Sequence, residues 1–142
     1  MRESALPYSA ATYAGQTGSC SYDETSAVDV NVYTEGFVTA SSVSQMKAAI
    51  QLQPLAVSIE ADKRVFQSYS SGVLDTTACG TNLDHAVLAV GYGLDETTGL
   101  EYWLVKNSWN TTWGDQGYIK LAVVDGDGIC GVQIEPETVT SN

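Results

Sequence analysis

The sequence predicts an α+β fold, with one helix near residues 42–53 followed by several short strands in a mostly antiparallel sheet or small barrel. Three observations lead there. Val43, Met46, Ala49 and Ile50 fall at helical spacing. After Pro54 the texture changes to alternation and short apolar runs bounded by turn residues. The chain has 142 residues and is 44% hydrophobic, enough for one core and too little for two ordinary domains.

Taken in order, residues 1–25 are rich in Ser, Ala, Tyr, Thr and Gly and read as irregular coil. Residues 28–33 alternate apolar and polar, as a half-buried strand does. Ser41 or Ser42 can cap the helix, and Pro54 stops it. Residues 55–59 alternate again. Residues 62–69 suggest a short helical turn carrying Val65 and Phe66, and 72–74 are short and extended. His85 to Tyr92 is a continuous apolar run closed by Gly93; residues 102–105 and 118–124 are further strands. Asp125-Gly126-Asp127-Gly128 reads as a tight hairpin turn, since an EF-hand calcium loop needs a longer ligand array. No internal repeat or low-complexity segment interrupts this order.

The formal net charge of −11, from 6 Lys+Arg against 17 Asp+Glu, argues against a nucleic-acid groove and against docking on anionic lipid. No apolar run approaches the roughly 18 residues that span a bilayer. The acidic balance reads as a solvated surface; its functional version is a protein that works at acid pH. Cys20, Cys79 and Cys130 include no Cys-x-x-Cys pair, and the single histidine is not spaced for zinc, so no metal is expected. Two of the cysteines could form a bridge, leaving one over.

The one histidine, His85, opens the most apolar strand, directly after Asp84. Alone, that position reads as structural. Its company reverses the reading: Asn82-Leu83-Asp84-His85-Ala86-Val87, then Val90-Gly91-Tyr92-Gly93, then Lys106-Asn107-Ser108-Trp109, then Trp113-Gly114-Asp115-Gln116-Gly117-Tyr118. These blocks, in this order and spacing, resemble the C-terminal half of papain and the cathepsins. The resemblance runs from Pro7-Tyr8 through Gly18-Ser19-Cys20 to Cys130-Gly131, nearly the whole chain.

The chemistry explains the residue types. A cysteine protease needs a thiolate, which a neighbouring imidazolium stabilises, and the histidine later protonates the leaving amine. An asparagine oxygen accepting the other ring N–H orients the imidazole without adding charge. The resemblance thus implies a papain-like right-hand domain over residues 26–142, a mostly antiparallel β-barrel with one or two helices. Residues 1–25 would belong to the left-hand, helix-rich domain. It implies His85 as acid/base, Asn107 as its orienter and Trp109 as cover for the His–Asn bond; Trp113 reads as packing. Ser58, Leu83, Asp84, Ala86 and Trp109 would contact substrate, with Glu135 at the far end of the second pocket. It also implies a Cys79–Cys130 disulfide, no cofactor, and a lysosomal or vacuolar or secreted location.

The family's nucleophile sits in a Gln…Cys-Gly-Ser-Cys-Trp block roughly 130–150 residues before the histidine and asparagine. That block does not occur here, and only 84 residues precede His85. The resemblance therefore implies a thiol endopeptidase whose nucleophile lies in an N-terminal half, which would also hold the partner of Cys20. The other partners implied are protein or peptide substrates, a zymogen propeptide and cystatin-like inhibitors. The alternatives are an inactive homologue that binds or scaffolds, and a relative with a serine nucleophile. One departure from the family pattern stands out: its usual glycine after Asn-Ser-Trp is Asn110, which creates the glycosylation acceptor Asn110-Thr111-Thr112.

Overall fold

The computed structural model describes residues 9–20, 24–26 and 32–141. It divides into two compact units, one comprising Glu35–Val139 and the other Met1–Thr34 with Thr140–Asn142. In the smaller unit the described residues hold a short helix, α1 (Ala10–Tyr13), and a 3-10 turn at Glu24–Ser26. The expectation of irregular coil over residues 1–25 is corrected by these two elements. Neither has a helix-length apolar stripe that the sequence could have announced.

The described residues form a seven-stranded, mostly antiparallel sheet. Its strands are β1 (Val32–Phe37), β2 (Leu55–Ile59), β3 (Val73–Leu74), β4 (His85–Leu94), β5 (Glu101–Lys106), β6 (Tyr118–Ala122) and β7 (Glu137–Ser141). They lie in the order β1-β7-β2-β4-β5-β6-β3, and β2 to β6 lie wholly in the larger unit. Only β3 is shown running parallel to its neighbour, β6. β2, β4, β5 and β6 are antiparallel to one another along this order. The strand expected at 28–33 is β1; residues 28–31 lie outside the described residues, and the strand runs on to Phe37. β7 was not anticipated, because Pro136 and two glutamates mask its alternation.

Helix α2 (Val43–Ile50) forms where the spacing predicts it. Ser42 caps it, its hydroxyl accepting from the Gln45 N–H, and Met46 and Ile50, one turn apart, are its buried residues. Helix α3 (Arg64–Gln67) is the expected short turn and buries Phe66. Strand alternation decides which side chains enter the core: on β2 Leu55, Val57 and Ile59 point in, and on β5 Trp103 and Val105 do.

Residues 125–128 turn the chain, but not as a hairpin. The strand that follows, β7, pairs with β2 and not with β6. What holds the turn is Gln133, fully buried. Its Nε2 donates to the carbonyls of Val124 (3.0 Å) and Gly126 (2.6 Å), while its Oε1 accepts from the Trp103 indole N–H (2.8 Å). A buried amide with all these bonds satisfied can replace strand pairing as the organiser of a loop.

Candidate active site

Two adjacent antiparallel strands bring the site together. Leu88 on β4 stands opposite Lys106 on β5. His85 opens β4 three residues before Leu88, and Asn107 directly follows Lys106 at the end of β5. On its other side His85 stands opposite Ile59 of β2. The histidine is therefore held between two neighbouring strands, near the end of each.

His85 Nε2 lies 2.9 Å from Asn107 Oδ1. The same Oδ1 lies 2.7 Å from the Ser108 backbone nitrogen. A backbone N–H can only donate, so the amide atom facing it must be the oxygen. The imidazole nitrogen facing that oxygen must then carry a proton, which leaves Nδ1 as the basic nitrogen of the neutral ring. Asn107 is 8% exposed, and its own N–H is anchored to the Gly117 carbonyl at 2.9 Å. Its Nδ2 is buried and has no partner among the described residues.

Trp109 stacks on the imidazole, ring centroids 5.0 Å apart and planes 30° apart. The edges of Phe66 and Trp113 meet it at 5.5 and 5.3 Å. Trp113 is fixed in turn by its indole N–H to the Gln67 carbonyl, 3.0 Å, and by packing on Phe66 and Tyr69. This aromatic group covers one face of the ring and limits its rotation.

The segment before His85 is fastened at four points. Cys79 and Cys130 form a disulfide, Cα atoms 5.1 Å apart. Asp84 donates its N–H to the Ile59 carbonyl (2.9 Å) and accepts the Ala61 N–H on Oδ1 (2.7 Å). Glu60, 3% exposed, accepts the Asn82 N–H and pairs with Lys63 at 2.8 Å. The Lys63 ammonium, and then the Asn82 N–H, hold the Glu60 carboxyl below its ordinary range, and the Lys63 ammonium is raised in return. Gly80 lies over this carboxylate with φ +77°, and a side chain there would collide with it. Glu60 and Lys63 escaped the sequence reading, because on an alternating strand the residue after Ile59 belongs to the solvent side. The available signal was the lysine three residues on.

Of the other expected substrate contacts, Ser58 and Ala86 are cross-strand partners beside His85. Leu83 abuts the turn at Gly131, where an added Cβ would lie 2.7 Å from its Cδ2 and 3.1 Å from the Ile134 Cδ1. Glu135 is exposed on the segment just beyond Ile134. Cys20 is an exposed free thiol in the smaller unit.

An imidazole so paired and so covered has the geometry a general acid/base requires. Comparison with known proteins supplies the context: a family model described as papain family cysteine protease matches residues 1–140. The chain belongs to the papain family of cysteine proteases. Among curated papain-family relatives, it is 40% identical over 132 residues to cysteine proteinase RD21A of Arabidopsis thaliana, covering 92% of this chain and 28% of that protein. It is 42% identical over 126 residues to cysteine endopeptidase RepA of Oryza sativa subsp. japonica, covering 87% and 33%. Among solved structures, bromelain from Ananas comosus in complex with the E64 inhibitor superposes with a TM-score of 0.83 at 36% identity, covering 99% of this chain and 62% of that one. The proform of the ragweed pollen allergen Amb a 11 gives 0.85 at 33%, covering 99% and 41%. The chain thus has the papain-like fold and spans about a third of the length of these curated relatives.

Proposed function

We propose that this chain is the C-terminal part of a papain-like cysteine endopeptidase, contributing His85 and Asn107 to a Cys-His-Asn site whose nucleophilic cysteine lies in an N-terminal half. The observation that carries this is the shared acceptor: one oxygen of Asn107 takes both the Ser108 N–H and the His85 Nε2–H. The tautomer this imposes leaves Nδ1 to take the thiol proton. The thiolate then adds to the scissile carbonyl. The imidazolium returns its proton to the departing amine, and His85 next removes a proton from the water that hydrolyses the acyl-enzyme. In this reading residues 1–25 belong to the left-hand domain, Cys20 pairs with a cysteine of the N-terminal half, and a propeptide or cystatin-like inhibitor occupies the cleft. The buried disulfide fits maturation in an oxidising compartment, lysosomal or vacuolar or secreted.

The E64 inhibitor tests the reading. Full-length protein treated with it is expected to lose peptidase activity in proportion to a covalent adduct on one cysteine outside these 142 residues. An adduct on Cys20, or a protein that neither reacts nor cleaves, overturns it; the second result identifies an inactive homologue.

The second pocket follows by the same extension. Ser58, Leu83 and Ala86 form its walls, Leu83 and Ala86 making it apolar so that it suits Phe, Leu or Val, and Glu135 offers a carboxylate that a guanidinium can pair with bidentately. Glu135→Ala in the full-length enzyme is expected to lower kcat/KM for arginine substrates about tenfold or more while sparing phenylalanine substrates. Equal effects on both substrates would remove Glu135 from the pocket.

A further inference from the structure

Asn110-Thr111-Thr112 is the one Asn-x-Ser/Thr tripeptide in the sequence, and the catalytic reading leaves it unused. All three residues are exposed. Asn110 has φ +71°, a left-handed conformation that asparagine tolerates, so a backbone demand accounts for its presence in place of glycine. The same demand does not account for Thr112, whose hydroxyl makes no hydrogen bond among the described residues. Asn110 Oδ1 is occupied, accepting the Thr111 N–H at 2.6 Å and the Thr111 hydroxyl at 3.2 Å. Its Nδ2 makes no such bond among the described residues, and Nδ2 is the atom that glycosylation uses. The Cys79–Cys130 disulfide independently points to maturation in an oxidising compartment, the setting in which this modification is made.

The place of the tripeptide gives it a consequence. Asn110 directly follows Trp109, whose ring stacks on His85. The turn is firm: Trp113 donates its N–H to the Asn110 carbonyl (3.3 Å), Gly117 donates its N–H to the Trp113 carbonyl (2.8 Å), and the Gly117 carbonyl holds the Asn107 N–H (2.9 Å). A group rooted on Asn110 therefore has a fixed base beside the histidine.

We propose that Asn110 carries an N-linked oligosaccharide that stands at the rim of the His85–Asn107–Trp109 site and disfavours bulky protein substrates there. The modification needs a lipid pyrophosphate-linked oligosaccharide as donor. Asn110 Nδ2 forms a bond to C1 of the first sugar, the C1–O bond to phosphate breaks with its electron pair going to the lipid pyrophosphate, and Nδ2 releases one proton. The oligosaccharide is bulky and solvated, so it acts by excluding volume and leaves the hydrogen bonds of the site intact. Modification at Asn110 stands apart from the proteolytic reading; the effect on substrates rests on it.

The test uses full-length protein purified from its own cells and the Thr112→Ala variant, which removes the acceptor pattern and keeps Asn110. Enzymatic release of N-glycans is expected to lower the mass of the Asn110 peptide by a whole oligosaccharide and leave aspartate at 110, with no such change in the variant. A bare Asn110 peptide in the native protein overturns the proposal. Against a folded protein substrate, relative to a short peptide amide, the variant's kcat/KM is expected to rise about threefold or more. An unchanged ratio overturns the rim effect. Failure of both forms to cleave the short peptide sinks the proteolytic reading, and the rim effect with it, while occupancy at Asn110 is still decided by mass.

Discussion

Replacing His85 by alanine in the full-length protein is expected, on the proposed function, to lower kcat/KM for peptide substrates by about 10³-fold or more, within the range assigned to a positioned general acid–base. The reason is that in the proposed mechanism two proton transfers pass through one ring. Without the imidazole, the thiol proposed for the N-terminal half would lose its base, and the departing amine its acid. Asn107→Ala is expected to do less, about tenfold or more, because it leaves the ring present but free to rotate and to take the other tautomer. The aromatic stack restrains that rotation, since Trp109 still covers the imidazole at 5.0 Å. A second readout separates chemistry from scaffolding. The rate of thiol alkylation near pH 6 should fall in His85→Ala, because the thiolate fraction falls with the loss of its cationic neighbour. A His85→Ala enzyme that keeps more than about a tenth of its activity, or alkylates as fast as the parent, would rule out the acid/base role.

Replacing both Cys79 and Cys130 by alanine is expected to lower the unfolding free energy by about 4 kcal/mol. The bridge joins residues 51 apart in sequence, and the entropy of closing a loop of that length sets this figure. Against a typical total of roughly 5–15 kcal/mol, that loss leaves a small domain marginal. Both sulfurs are in the core, with Cys79 0% and Cys130 1% exposed, so alanine also removes packing without burying a new polar group. The effect should reach the active site, because the segment between Cys79 and His85 also hangs on Glu60 and Asp84. Denaturant titration of the full-length protein measures it, with the midpoint falling and the m-value rising as the uncrosslinked denatured chain expands. A loss below about 1 kcal/mol would mean that these hydrogen bonds, and not the bridge, hold the segment.

Legibility followed the kind of signal each element carries. Helix α2 and strand β2 were readable because each buries one face, and burial imposes a period on the residues; β4 and β5 were readable as short apolar runs bounded by turn residues. β6 was readable too, although it ends at Ala122 and not at Val124. Helix α1 has only four residues, too few to show a period. The turn at 125–128 carries hairpin residues, but which strand follows it depends on a partner far away in sequence: β7 reaches β2 through Ala56 opposite Glu137. Gln133 and Glu60 were unreadable for a related reason. A polar residue becomes a core residue only when distant groups satisfy it, here Trp103, Val124 and Gly126 for the one and Asn82 and Lys63 for the other.

By itself the sequence determined the family resemblance and the residue types of the dyad, because the short blocks around His85 and Asn107 carry them locally, and it located the core strands along the chain but not their order in the sheet. Only the tertiary structure decided which atoms meet. That Oδ1 of Asn107 serves both Ser108 and His85, and so selects the imidazole tautomer, depends on the register of β4 against β5 to within one residue. A slip of one position would turn His85 to the opposite face of the sheet, with the same residues in the same order.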